Sequence, residues 1–435
     1  MLYSWQKVIF LTIAVITIIY MTFCIHTSKT IHRLWVGSHQ IHSLVDKTTA
    51  YDWKAPKTEG DDDYPHPNPN LNPNLNPNLN PFHGTMAKTH VLVLATTRTG
   101  SSFVGQLLNQ HQEVFYLFEP LYHVQVTMEP SQLLATAGRS AFLGASRDLL
   151  ISLFNCDLHF LQTYINPVPT PKGNELFRRG VSRALCQPPV CDAFHYNDLD
   201  VNEESCVSKC GPLNMTLATE ACKKRPKVVI KSVRVKRIDD IRWIVEDPRL
   251  NVKVIHLVRD PRGVLSSQIE TFKDHFRDWH IWKATGHPPN TINLYPIQRI
   301  CETYQNTLST TVKEPDWLKG KYMLLRYEDV ATDTLQKTKE IYEFVGLSMD
   351  TNVEQRILAR THGSELTDKK KFSTLRDSPM TAEKWRYQLT YDMVRHSQNV
   401  CQELLNQLGY KIVKSVEELR NGTISLVGKL ASPLR

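Results

Sequence analysis

The chain has 435 residues, 41% hydrophobic and 22% charged, an ordinary globular composition that excludes a fibrous or wholly disordered protein and leaves room for one large domain or two smaller ones. Its 52 Lys and Arg outnumber 44 Asp and Glu, a formal net charge of +8. That sign points to acidic partners, with nucleic acid, anionic glycan, nucleotide and anionic lipid all open on the number alone.

The first element is apolar. From Val8 to Ile25 the run VIFLTIAVITIIYMTFCI carries no charge, and roughly 18 to 20 such residues span a bilayer as a helix. The expectation is a transmembrane signal anchor at 8–25, with 1–7 as a cytoplasmic tail. A cleaved signal peptide is the rival reading, but the run is long for one and no clear small-x-small site follows. Lys29 and Arg33 weaken the positive-inside signal, so orientation rests on the cysteines. Of nine, Cys24 lies in the span, which leaves eight, five of them between Cys186 and Cys222. An even set in a luminal protein reads as up to four disulfides of open pairing. Zinc is the competing reading, through Cys206 and Cys210, but Cys186 to Cys191 is wide and no His falls nearby in a ligand pattern. Two sequons, at Asn214 and Asn421, fit the same compartment.

Residues 26–88 show no sustained periodicity and contain PHPNPNLNPNLNPNLNP. Repeated proline removes backbone donors and fixes φ, so the expectation is an extended or disordered luminal stem. The Asn-Pro repeat itself is equally well read as an insertion without a role beyond length.

The folded domain is expected from residue 89 to 415, with 416–435 as a C-terminal tail. Val91 to Ala95 reads as a buried strand, stopped by Thr96-Thr97-Arg98-Thr99-Gly100-Ser101-Ser102 and followed by an amphipathic helix from Phe103. A Gly-containing turn feeding a helix N-terminus is a ready anion site, because that end presents unpaired N–H groups and the positive end of the dipole. Val114 to Phe118 is a second strand. Pro120 biases Glu119 away from helix, so this acid stands at a strand end, either as a functional carboxylate or as an ion-paired rim residue.

Helical patterns run from about Ser131 to Leu161, and the cysteine-rich stretch reads as a cross-linked excursion. Lys227 to Val233 is a third strand within eight basic residues from Lys223 to Arg237. Asn251 to Val258 is the next, and Arg259-Asp260-Pro261-Arg262-Gly263-Val264-Leu265-Ser266-Ser267 repeats the turn-and-helix logic. Two anion cradles in one domain suggest a ligand with two phosphate groups. The aromatic run at Trp279 to Trp282, with His280, lines a sugar site or merely packs. Lys321 to Arg326 is a further strand, where Glu328 and Asp329 read as capping and ion-pairing groups. A helix follows from Leu335 to Val345, and the last feature is Thr381 to Arg386 with a helical run to Leu408. The fold class is α/β: a single domain with a mostly parallel central sheet flanked by helices.

The two turn segments, with the wider runs ATTRTGSSFVGQLLNQH, FYLFEPLYHVQ, LVRDPRG, RYED and TAEKWR, resemble the Golgi carbohydrate 6-O-sulfotransferases, most of all the branch that acts on galactose of keratan sulfate. The likeness runs from about Lys88 to Glu418 and omits the Asn-Pro repeat. It implies a P-loop-like sulfotransferase fold and 3′-phosphoadenosine 5′-phosphosulfate as sulfuryl donor, with no metal. It also implies that Thr96 to Ser102 grip the 5′-phosphosulfate, that Arg259 to Ser267 hold the 3′-phosphate, and that Glu119 takes the acceptor's proton while Arg98 supports the leaving phosphate. Cytosolic relatives carry a Lys-Thr-His base where this chain reads Lys231-Ser232-Val233-Arg234. Implied further are a keratan-type glycan acceptor, with N-acetylglucosamine or N-acetylgalactosamine as alternatives, no nucleic-acid partner, and a single-pass type II Golgi membrane protein with a homodimer left open. A nucleotide phosphotransferase wants a Gly-Lys-Ser/Thr ending that this loop lacks. A non-catalytic glycan-binding protein would not need both cradles.

Overall fold

The computed structural model describes residues 88–128, 135–164, 178–198, 201, 203–290, 292–361 and 378–431. The expected anchor, the stem up to residue 87 and the start of the helical pattern at Ser131 lie outside the described residues. Among the described residues, no helix is long and apolar enough to cross a membrane.

Five strands form one sheet: β1 Thr89–Ala95, β2 Val114–Phe118, β3 Lys227–Ser232, β4 Asn251–Val258 and β5 Tyr322–Arg326. Their order is β2-β3-β1-β4-β5 with every neighbouring pair parallel, so the five expected strands and their expected direction are those observed. The helices that position the site are α1 Ser101–Asn109, α2 Leu121–Met128, α3 Ala135–Phe154, α4 Glu203–Lys209, α5 Met215–Lys224, α6 Pro261–Thr271, α7 Tyr295–Thr311, α8 Tyr327–Thr332, α9 Thr334–Val345 and α10 Tyr391–Gln407.

Alternation along each strand divides the core. Leu92 and Leu94 of β1 pack with Leu150, Leu153 and Phe154 of α3, while Val91, Val93 and Ala95 meet Val104 and Leu108 of α1 and Ile341 of α9. Both faces are covered, which is why the strands read as continuous apolar runs. Val258 of β4 shares its parity with Val252 and Val254 of the first face. It packs with Leu265 of α6, Tyr304 of α7 and Leu404 of α10. Thus α1 and α6 leave adjacent strands toward opposite faces, and the crevice at a switch point of this kind is where open parallel sheets bind ligands.

All eight cysteines outside the expected span are paired: Cys156–Cys222, Cys186–Cys206, Cys191–Cys210 and Cys301–Cys401. Disulfides therefore hold against zinc, with Cys206 and Cys210 in separate bonds. The stretch after residue 415, read as a tail, packs into the domain through buried Leu419 and Leu426, and Arg326 donates to the Gly428 carbonyl at 2.8 Å.

Candidate active site

The turn after β1 is strained where it must bend. Arg98 has φ 73° and Gly100 φ 95°; a Cβ at Gly100 would lie 2.3 Å from Cδ2 of Tyr327, so only glycine fits. No side chain caps α1 at Gly100, which leaves the Ser101 and Ser102 N–H groups for a ligand, while the Phe103 N–H donates to the Gly100 carbonyl at 2.9 Å. Thr96 and Thr99 turn inward as braces. Thr99 Oγ1 donates to the Thr96 carbonyl at 2.7 Å and Thr96 Oγ1 to the Tyr304 hydroxyl at 3.0 Å.

At the second turn, Asp260 caps α6 by accepting from Arg262 N at 2.9 Å. Arg262, fully buried, pairs with Asp260, donates to Gln398 Oε1 at 2.8 Å and lies 4.5 Å over the Trp385 ring. Asp260 and Arg262 thus hold the turn from behind, with Pro261 opening the helix and Val264 and Leu265 in the core. Arg259, Gly263, Ser266 and Ser267 face the cavity instead.

The two turns meet there. Arg98 Nε donates to Ser267 Oγ at 3.0 Å, and Arg259 Nη1 to the Arg98 carbonyl at 3.2 Å. Arg259 also donates through Nη2 to the Thr381 carbonyl at 3.1 Å and lies 4.7 Å over the Tyr327 ring. Its Nε is buried and finds no partner among the described residues. A Cβ at Gly263 would come within 3.1 Å of that nitrogen and 3.2 Å of Trp385. An unpartnered guanidinium N–H beside a space that only glycine leaves clear suits a phosphate oxygen.

Across the sheet, Phe118 and Lys231 are register partners, which brings the next residue, Glu119, to the Lys231 side chain. Glu119 has φ 52° and donates its N–H to the Lys231 carbonyl at 2.9 Å. One carboxylate oxygen accepts from Lys231 Nζ, the other from Val233 N at 3.2 Å, with Arg234 Nε 3.7 Å away. Burial pushes the Lys231 ammonium below its usual range while the Glu119 carboxylate opposes that shift. The basic strand thus supplies the cation that anchors the candidate acid.

These groups share one cavity of about 690 Å³, lined by Arg98, Gly100, Ser101, Ser102, Glu119, Lys231, Arg259 and Ser267, with Thr97 at its wall. Also in the wall, and not assigned to the site from the sequence, are Arg178, Tyr327 and Trp385. A lysine one residue from the end of a buried strand is a signal that would have marked Lys231; nothing local marks Arg178. His280 and the stacked pair Trp279 and Trp282 pack instead, His280 meeting the Ile269 carbonyl at 2.9 Å. Asp329 pairs with Arg326 at 2.8 Å. Glu328 is buried behind the second turn, accepting from Asp260 N at 3.1 Å and from the Tyr410 hydroxyl at 2.7 Å. Burial, then the Asp260 charge, raises its carboxyl to about 7. Asn214 and Asn421 are both exposed; Asn214 caps α5 through Oδ1, accepting from Thr216 N at 3.0 Å.

The family described as "Sulfotransferase domain" matches residues 88–409. The zebrafish (Danio rerio) protein "Carbohydrate sulfotransferase 1" is 49% identical over 428 residues, 98% of this chain and 97% of its own length. The human protein of that name is 54% identical over 343 residues, 78% of this chain and 84% of its own. Human "Carbohydrate sulfotransferase 3" is 38% identical over 351 residues, 78% of this chain and 71% of its own. A match of that extent, with the paired anion cradles in one cavity, places the chain in the sulfotransferase family, among its carbohydrate sulfotransferases.

Proposed function

We propose that this carbohydrate sulfotransferase moves the sulfuryl group of 3′-phosphoadenosine 5′-phosphosulfate to the 6-hydroxyl of galactose in keratan sulfate or related poly-N-acetyllactosamine chains. The observation that carries this reading is the junction of the two cradles at Arg98 and Ser267, with Glu119 at the end of β2 in the same cavity. The donor supplies an activated sulfur and a leaving bisphosphate. Its two phosphate ends match the two cradles: Arg98, Ser101, Ser102 and the α1 N–H groups for one, Arg259, Gly263 and Ser267 for the other.

Glu119 accepts the proton of the attacking hydroxyl, a general-base contribution of roughly 10²- to 10⁴-fold. Lys231 and Val233 N hold that carboxylate in place. Arg98 and the turn N–H groups face the oxygen on which charge develops as the bisphosphate leaves, where one such donor is worth about 3 kcal/mol. Arginines and backbone dipoles carry the charge compensation, so this reading calls for no metal.

The four disulfides and the exposed sequons support a luminal domain, and the apolar run at 8–25 supports a type II Golgi anchor. The test is labelled donor with a keratan-type acceptor. Label on C6 of galactose is the expected product, while label confined to N-acetylglucosamine or N-acetylgalactosamine reassigns the acceptor.

A further inference from the structure

Among the described residues of the disulfide-stapled stretch from Arg178 to Cys222 none belongs to the cradles, yet the side chain of Arg178 enters the cavity. Arg178 lines the wall with its guanidinium 4.8 Å from the ring centroid of Phe118. Lys231 Nζ lies 4.6 Å from the same ring, and Glu119 is the next residue. The strand order separates this corner from the donor turns. β2 is the outermost strand, with β3 between it and β1, and strands lie about 4.8 Å apart, so the end of β2 stands roughly 10 Å from the turn after β1. Arg178 stands beside Phe118 on the far side of β3 from the β1 and β4 turns, and borders the space in front of Glu119.

Its pose is defined by its neighbours. Arg178 has φ 42°, an uncommon conformation for a residue with a Cβ. Nε and Nη2 donate to the two Glu203 carboxylate oxygens at 2.9 and 2.6 Å. A Cβ at Gly180 would fall 2.4 Å from the Glu203 Cα, so the chain here lies directly on the start of α4. Cys206, on the same helix, is bonded to Cys186. The fork to Glu203 leaves Nη1 without a partner among the described residues. It also balances the charge, so Nη1 offers two N–H donors with little net charge, a match for neutral sugar oxygens rather than for a second anion.

We propose that the disulfide-stapled stretch is the acceptor wall of the active site, and that Arg178 Nη1 donates to oxygens of the acceptor sugar, turning its primary hydroxyl toward Glu119. The proposal rests on the sulfotransferase reading of the cavity and adds which residue recognises the acceptor. Full-length protein carrying Arg178→Ala should show an acceptor KM raised several-fold to about tenfold, the loss of one hydrogen bond to a neutral sugar oxygen. Donor KM and the Kd for adenosine 3′,5′-bisphosphate should stay at the parent values. Glu203→Gln, which weakens the fork, should raise acceptor KM by a smaller factor. Arg178→Lys keeps the charge beside Phe118 but loses the fork geometry; it should give the same split and is the variant to read if the alanine protein is poorly recovered. An unchanged acceptor KM, or a donor Kd that moves by the same factor, overturns the proposal. Label appearing on a sugar other than galactose overturns the galactose reading alone, and the KM for that sugar then decides Arg178.

Discussion

Arg98 Nε donates to Ser267 Oγ across 3.0 Å, so the turn after β1 and the helix after β4 are joined by a bond 169 residues long in sequence. Ser267→Ala therefore removes an anchor of Arg98 as well as a hydroxyl facing the cavity. Donor KM should rise about tenfold with a smaller fall in kcat, measured by steady-state kinetics at varied donor. Arg98→Ala should lower kcat by about 10²- to 10³-fold, the usual cost of a donor that meets developing charge.

Glu119→Gln keeps the shape of the site and removes the proposed proton acceptor. Turnover should fall roughly 10²- to 10⁴-fold while adenosine 3′,5′-bisphosphate still binds in a calorimetric titration. Retained turnover would return Glu119 to the role of an ion-paired rim residue. Lys231→Met makes a different statement, because it leaves a buried carboxylate without its principal cation. It should destabilise the domain by about 3 kcal/mol, the lower end for breaking a buried pair, since Val233 N and Arg234 remain. The denaturant midpoint is the check.

Two glycine substitutions should part in sign. Gly263→Ala presses a methyl against Arg259 Nε and Trp385 at 3.1 and 3.2 Å. Donor affinity should drop several-fold while the fold survives. Gly144→Ala, in α3, meets nothing within 4 Å and should raise stability by about 0.5 to 1 kcal/mol through helix propensity. Melting temperature and donor titration on both variants test the contrast.

Glu328 sets a pH dependence whose sign follows from its raised carboxyl, from 4.5 to about 7. The folded state binds this proton more tightly than the unfolded chain. Its contribution is therefore fully present below about 4.5 and is lost as pH rises through about 7, a total on the order of 3 kcal/mol. The groups facing it are Asp260, Arg259 and Tyr410. Glu328→Gln keeps acceptor oxygen for Asp260 N and Tyr410 but cannot ionise. Unfolding free energy of parent minus variant should fall across that window, and a flat difference would remove Glu328 as its source.

The Cys301–Cys401 bond ties α7 to α10. One turn beyond Cys301, Tyr304 braces Thr96 and Thr99; one turn before Cys401, Gln398 accepts from Arg262. The bond thus joins the supports of both cradles. Replacing both cysteines by alanine should cost up to about 4 to 5 kcal/mol of stability for a loop of 100 residues and raise donor KM. Removing Cys191–Cys210 should leave donor KM alone, and equal effects on donor KM from the two pairs would separate the bond from the cradles.

Much of the site was legible before any fold was known, because its parts are local. The strand at Val91 to Ala95 is marked by continuous apolar residues, and the turn at Gly100 by a backbone that no side chain tolerates. The repeat of that logic at Arg259 to Ser267 marked a second cradle. Within that second segment the residue types alone do not say which side chains face the ligand. Asp260 and Arg262 look like ligand groups, and it is the packing of Trp385, Gln398 and α6 that turns them away.

By itself the sequence determined the strands, both turns and the even set of cysteines, since each follows from alternation, turn sterics or parity over a few neighbouring residues. Only the tertiary structure decided that Lys231 meets Glu119 across 112 residues, that Arg98 meets Ser267, and that a stapled excursion carries Arg178 to the edge of β2. Those pairings depend on strand order and register, which arise when both faces of the sheet are buried at once and which no short stretch of chain encodes.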